Sequence, residues 1–278
     1  MPAAPAVAAT ALRATRLVGG DAGTAQLIVA GIARAIVGGR TPAPVAERPS
    51  GYDPSLVNAD QDLQALADIL TRPDAPPAVS FLLVGPPGTG KSAWVRYLAD
   101  RMGLEVLQKR ASDLLGSFVG ETEANIAAAF GEARDSGAFL IFDEADSLLG
   151  DRRGAVRGWE ISQVNEMLTW MEQHPLPFAC TTNLPDHLDP ASLRRFLVKV
   201  RFSWLTAAQS RSAFRQFFDA VPPPALDELR TLATADFALV RRRLLLTGQE
   251  RDQAVLLRLL AAESDGRRDA RLPIGFRM

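Results

Sequence analysis

Cysteine is nearly absent from this 278-residue chain, with Cys180 standing alone. No intrachain disulfide can brace the fold, and one thiol in an apolar run fits a reducing interior, where it serves as a small core hydrophobe. Histidine occurs twice, at His174 and His187. The two are too isolated to suggest a metal site, and no zinc, protease or nuclease signature accompanies them. Net charge is also lacking, at −1 with a pI near 6.2. No global field therefore advertises nucleic acid or an anionic membrane, and any nucleic-acid contact would have to be local. No apolar run approaches the ~20 residues of a membrane span. Met1 to Thr15 is Ala-rich and without acids, but has neither a signal core nor the Ser content of a transit peptide, so a cytoplasmic location is expected. Lysine is scarce as well: Lys91, Lys109 and Lys199 are the three in the chain, the other basic residues being arginine.

That scarcity makes one lysine conspicuous. It sits in Gly85-Pro86-Pro87-Gly88-Thr89-Gly90-Lys91-Ser92, after the apolar run Val79 to Val84 and before an amphipathic stretch. Strand, glycine loop and helix in that order make a phosphate-binding loop. Backbone N–H groups of the loop turn inward onto phosphate oxygens, and the new helix adds the positive end of its dipole. Lys91 can reach β- and γ-phosphates, and the Ser92 hydroxyl can hold Mg²⁺. A chance match in a chain of this length is expected roughly 1% of the time.

An apolar fraction of 47% and a charged fraction of 23% are those of a globular protein with room for one large and one small domain. Residues 1–50 are rich in Ala, Gly and Pro, with a helix expected over Thr24–Val37 and a proline-rich linker after it. They read either as an arm or as the end of a longer N-terminal domain. From Tyr52 the pattern predicts a helix capped at Asn58-Ala59-Asp60 and carrying Leu63, Leu66, Ala67 and Leu70. Strands are expected at Val79–Val84, Leu104–Gln108, Ala138–Phe142, Phe178–Thr182 and Val198–Phe202. Helices alternate with them at Ala93–Met102, Glu121–Arg134 and Trp159–Glu172, the last with a buried stripe of Ile161, Val164, Leu168 and Met171. This alternation predicts a three-layer α/β/α fold around a parallel sheet, over residues 51–202. After Leu205 the pattern is wholly helical, with helices at Ala207–Val221, Leu226–Leu232, Asp236–Leu246 and Gln249–Ala262. A small all-α lid is expected over 203–278.

The apolar strand ending in Phe142 delivers Asp143 and Glu144 at its C-terminal end, where open parallel sheets bind ligands. Asp143 is suited to Mg²⁺, partly through water, and Glu144 to polarising an attacking water. With Asp143-Glu144-Ala145-Asp146 beside the phosphate loop, the chain resembles the AAA group of AAA+ ATPases, from about Tyr52 to Leu246.

The resemblance implies ATP and Mg²⁺ as cofactors, a ring-shaped homo-oligomer, in the family a hexamer, and a protein substrate to be remodelled or unfolded. It gives Asn183, after the strand Phe178 to Thr182, the role of aligning the attacking water. Leu188 to Phe196 is similar to the family's arginine-finger stretch, so that Arg194 and Arg195 would act on the site of a neighbouring subunit. Asp113 to Glu123 resembles the substrate-gripping pore loop, with Phe118, Val119 and Gly120 at its tip; the alternative is that Phe118 belongs to the core. Asp151 to Gly158 matches a second pore-facing loop, or is a solvated turn. Thr234-Ala235-Asp236-Phe237 resembles the form in which the lid offers no arginine to the phosphates, so neither Arg241 nor Arg242 is nominated. Two other functions remain open from sequence: an ATP-dependent helper that loads or remodels nucleic acid, and a nucleotide-gated assembly module.

Overall fold

Alternating side chains decide which way each strand faces. The computed structural model of the chain describes residues 52–118, 120–151, 158–247 and 252–269, all within one unit, Pro49–Met278. The arm and linker over 1–50, Val119 and residues 152–157 of the second loop lie outside them. Six strands form one sheet: β1 (Asn58–Ala59), β2 (Ser80–Val84), β3 (Val106–Arg110), β4 (Phe139–Asp143), β5 (Phe178–Thr182) and β6 (Val198–Ser203), in the order β1-β6-β2-β5-β4-β3. Strands β6, β2, β5, β4 and β3 run parallel, while the two-residue β1 pairs antiparallel with β6 at the edge.

Helices cover both faces. On one face Leu82, Val84, Leu140, Phe142 and Cys180 pack with Ile126, Phe130 and Ala133 of α4 (Glu121–Ser136) and with Val164, Leu168 and Met171 of α5 (Gly158–Gln173). On the other, Phe81, Leu83, Phe139, Ile141 and Ala179 meet α1 (Leu63–Leu70) and α2 (Lys91–Arg101) through Leu63, Ala67, Trp94, Val95 and Leu98. Residues one apart in a strand thus feed different cores, the period-2 signature of a strand buried on both sides. Short helices α3 (Ala111–Leu114) and α6 (Pro190–Leu193) follow β3 and precede β6. A third apolar cluster is built by α7 (Ala207–Phe218), α8 (Thr234–Thr247) and α9 (Gln253–Asp269), and Leu56 from the beginning of the described chain joins it.

Three local expectations need correction. Asn58 and Ala59 are edge strand, and the cap of α1 is Asp62, whose carboxylate accepts from the N–H groups of Gln64 and Ala65 at 3.0 Å. The stretch expected as a helix over Leu226–Leu232 is a 3-10 helix, Pro224–Glu228. Pro222, Pro223 and Pro224 have no N–H to donate and fix φ, which suits a single tight turn. Ile161 is exposed, so the buried stripe of α5 starts at Gln163 and Val164.

Candidate functional site

The phosphate loop leaves β2 at a point where no side chain fits. A Cβ on Gly85 would lie 2.3 Å from the Phe202 carbonyl oxygen of β6. The Gly85 N–H donates to the Thr182 carbonyl at 3.1 Å, tying the start of the loop to β5. Gly88 and Gly90 take φ of 78° and 99°, which L-residues adopt only at a cost. Thr89 closes the turn by donating from Oγ1 to the Pro86 carbonyl at 2.7 Å. Pro87 completes the loop between these turns.

Lys91 starts α2, is 7% exposed, and directs Nζ back under the loop. Its ammonium donates to Gly85 O at 2.6 Å, Pro86 O at 2.9 Å and Asn183 Oδ1 at 2.8 Å. Burial pulls its pKa down to about 8, against the opposing pull of the Asp143, Asp146 and Glu144 carboxylates. Next to it, Ser92 Oγ donates to Asp143 Oδ1 at 2.7 Å. The N-terminal residues of one helix therefore touch the ends of both β4 and β5.

Glu144 follows Asp143 in a left-handed conformation, with φ 56° and ψ 47°. A glutamate is held there at a cost of about 1–2 kcal/mol. Thr181 helps hold it: its Oγ1 accepts the Glu144 N–H at 3.2 Å and donates to Asp143 Oδ1 at 2.6 Å. Thr182 donates to Asp146 and accepts the Leu184 N–H, which secures the turn carrying Asn183.

The other nominated residues lie away from this cluster. Arg195 is tied within its own chain, with Nε donating to Glu172 Oε1 at 2.5 Å and a terminal nitrogen to Ala191 O at 3.2 Å. Arg194 is exposed, and among the described residues no group bonds or pairs with its guanidinium. Both stand at the far end of β2, where Ser80 Oγ donates to the Arg195 carbonyl at 3.0 Å. Phe118 is 79% exposed, outside every core cluster. Its loop is pinned from α4 by Glu121, which accepts the Phe118 N–H at 3.2 Å, and by Thr122, which accepts the Gly116 N–H at 2.9 Å. Gly120 turns into α4 with φ 87° and open space where a Cβ would be.

Two contacts were not anticipated from sequence. Gln108 of β3 donates to Asp143 Oδ2, and the Ala235 N–H at the start of α8 donates to Gly88 O at 3.3 Å. Near the start of α8, Ala235 thus meets the loop, while Arg241 and Arg242 are exposed farther along the helix.

Ser92 and Asp143 offer a hydroxyl and a carboxylate, hard oxygen donors of the kind Mg²⁺ takes. Among the described residues no group of three or more His, Cys, Asp or Glu could hold a metal alone. A cation bound by two protein oxygens would complete its shell with phosphate and water, as Mg²⁺ does. The donor set fits. No helix of the described residues is long and apolar enough to cross a membrane.

A glycine loop, a buried lysine and a carboxylate gathered at the C-terminal ends of parallel strands define a P-loop nucleotide-binding α/β domain. Residues 81–204 match the family model described as "ATPase family associated with various cellular activities (AAA)". The chain is 36% identical over 119 residues to Nuclear valosin-containing protein-like of Mus musculus, covering 41% of this chain and 14% of that protein. It is 34% identical over 162 residues to ATPase family gene 2 protein homolog B of Bos taurus (55% and 21%). It is 34% identical over 125 residues to Cell division cycle protein 48 homolog of Archaeoglobus fulgidus (42% and 17%). Residues 81–204 are thus similar to the AAA family of ATPases, and the match spans about a fifth or less of these relatives.

Proposed function

We propose that this chain hydrolyses ATP and couples the cycle to remodelling or unfolding a protein substrate, as a homo-oligomeric ring, by family likeness a hexamer, with its active sites between subunits. The observation that carries this reading is the pair of hydrogen bonds from adjacent residues of one helix, Lys91 to Asn183 and Ser92 to Asp143, with Glu144 next to Asp143 and Phe118 exposed elsewhere.

The loop amides and Lys91 bind the β- and γ-phosphates, which compete with the Gly85 and Pro86 carbonyls for the ammonium. When bound by Ser92 and Asp143, Mg²⁺ supplies neutralising charge to those phosphates. Glu144 takes a proton from water, while Asn183 holds that water in line. As the water oxygen bonds to the γ-phosphorus, the bond from that phosphorus to the β–γ bridging oxygen breaks. ADP departs with the electron pair.

About 13 Å of strand separates Ser80, beside Arg195, from the loop that follows Val84. An arginine of the same chain does not span that distance, which supports action in trans on a neighbour's γ-phosphate. Arg194 is the freer of the two for that task, since Arg195 is paired with Glu172. Exposed Phe118 supports a grip on extended polypeptide.

The test is two-step. Glu144→Gln in ATP should retain a bound protein substrate, identified after affinity capture. Phe118→Ala should then keep ATP turnover within about twofold and lose processing of that protein. Unchanged processing by Phe118→Ala would remove the remodelling reading and leave the ATPase one.

A further inference from the structure

The strand register places a second polar side chain against Asp143. In the β3–β4 ladder Gln108 pairs with Ile141 and Arg110 with Asp143. Gln108, Ile141 and Asp143 therefore point to the same face of the sheet, the one covered by α2. That face is apolar at Phe139, Ile141 and Ala179, and it turns polar at its loop end. There Gln108 Nε2 donates to Asp143 Oδ2, and Gln108 Oε1 accepts from the Arg96 guanidinium of α2. Arg96 is one turn after Ser92 on the same side of α2. One helix thus reaches Asp143 twice, directly through Ser92 Oγ at 2.7 Å and indirectly through Arg96 and Gln108.

The two carboxylate oxygens are consequently distinguished. Oδ1 accepts from Ser92 and Thr181, and Oδ2 accepts from Gln108. An amide bound at its oxygen by a guanidinium, which only donates, must present its NH₂ in the other direction. Arg96 therefore fixes which way the Gln108 amide is turned.

We propose that Gln108, oriented by Arg96, is a positioning residue for metal binding: by holding Oδ2 it fixes the rotation of the Asp143 carboxylate and keeps Oδ1 beside Ser92. This rests on the Mg²⁺–ATP reading of the site. A partner of a metal-binding carboxylate acts through orientation, and its removal typically weakens metal affinity about 10–100-fold.

The experiment titrates Mg²⁺ against the full chain with a fluorescent ATP analogue and reads binding. Gln108→Leu keeps the bulk and removes the amide; Gln108→Glu keeps the shape and an acceptor for Arg96, but has no NH₂ to give Asp143. Both variants should bind metal-free analogue within about twofold of wild type, and need roughly tenfold or more Mg²⁺ to reach half of the metal-dependent gain. Thermal melting is followed in parallel, and Gln108→Glu decides the matter if Gln108→Leu does not fold. A wild-type Mg²⁺ midpoint in a folded variant overturns the positioning role alone. Wild-type protein with no metal-dependent gain overturns the Mg²⁺–ATP reading, and this inference with it. Equal loss of metal-free and metal-dependent binding also overturns it, because that marks Gln108 as structural.

Discussion

The phosphate loop and the Phe118 loop both depend on glycines, and each has one packed closely, Gly85 and Gly116, yet the two differ at their tips. At the phosphate loop, Lys91 is bonded to Asn183, Ser92 and Thr181 are both bonded to Asp143, and Gly85 lies against the β6 backbone. At the other loop Phe118 stands 79% exposed, and Gly120 has nothing within 4 Å of where a Cβ would be. The difference teaches what each region is fit for. Phosphoryl chemistry depends on groups already oriented before the transition state, whereas the proposed grip on a chain of variable sequence needs an exposed apolar side chain, here on a loop tied to α4.

The largest effect that can break this comparison is at Glu144. Glu144→Gln should lower ATP turnover by roughly 10²–10⁴-fold with ATP affinity preserved, as removal of a general base does. Steady-state phosphate release and nucleotide binding check it, and normal turnover would move the base elsewhere. Second is Gly85→Ala, expected to cost about 3 kcal/mol or more, because the new Cβ and the Phe202 carbonyl cannot share the space. Denaturant unfolding measures it.

Third is a pH effect through Lys91. Its ammonium is held down to about 8 by burial, and bound phosphate anions would raise it again, so ATP binding above that pH takes up a proton. Affinity should be level below about pH 8 and weaken by up to about tenfold per pH unit above it. Lys91→Met should bind weakly with no such slope, which calorimetry across the pH range can read. The smallest effect belongs to the other loop: Gly120→Ala should cost only about 1 kcal/mol, the price of a left-handed alanine. A loss as large as that of Gly85→Ala would mean that Gly120 is packed as closely as Gly85.

Sequence revealed the local parts of this site and little of its cross-strand wiring. Gly85 to Ser92 is contiguous, so its chemistry could be read from spacing. Asp143 was legible because a wholly apolar strand ends on it. Helices on both faces of the sheet also followed from strands separated by helices, and the five parallel strands were expected close to their observed ends. Gln108 was missed because its partner depends on the β3–β4 register; the available hint was a polar residue on the helix-covered side of the edge strand β3. Which of two adjacent arginines is free depends on Glu172, carried by a different helix. Asn58–Ala59 was misread because two residues are too few to show alternation. The stretch after Pro224 was misread because Leu226 and Leu232, both buried, resemble a helical face even without helical backbone.

The central claim, a site shared between copies of the chain, is tested most directly by mixing two inactive variants. Lys91→Ala lacks a working phosphate loop and keeps Arg194; Arg194→Ala keeps the loop and lacks the guanidinium. Each alone should be nearly inactive. In an equal mixture allowed to reassemble, random neighbours complete about a quarter of the interfaces, and ATP turnover should recover to about that fraction of wild type. A mixture no more active than its two components would contradict the account.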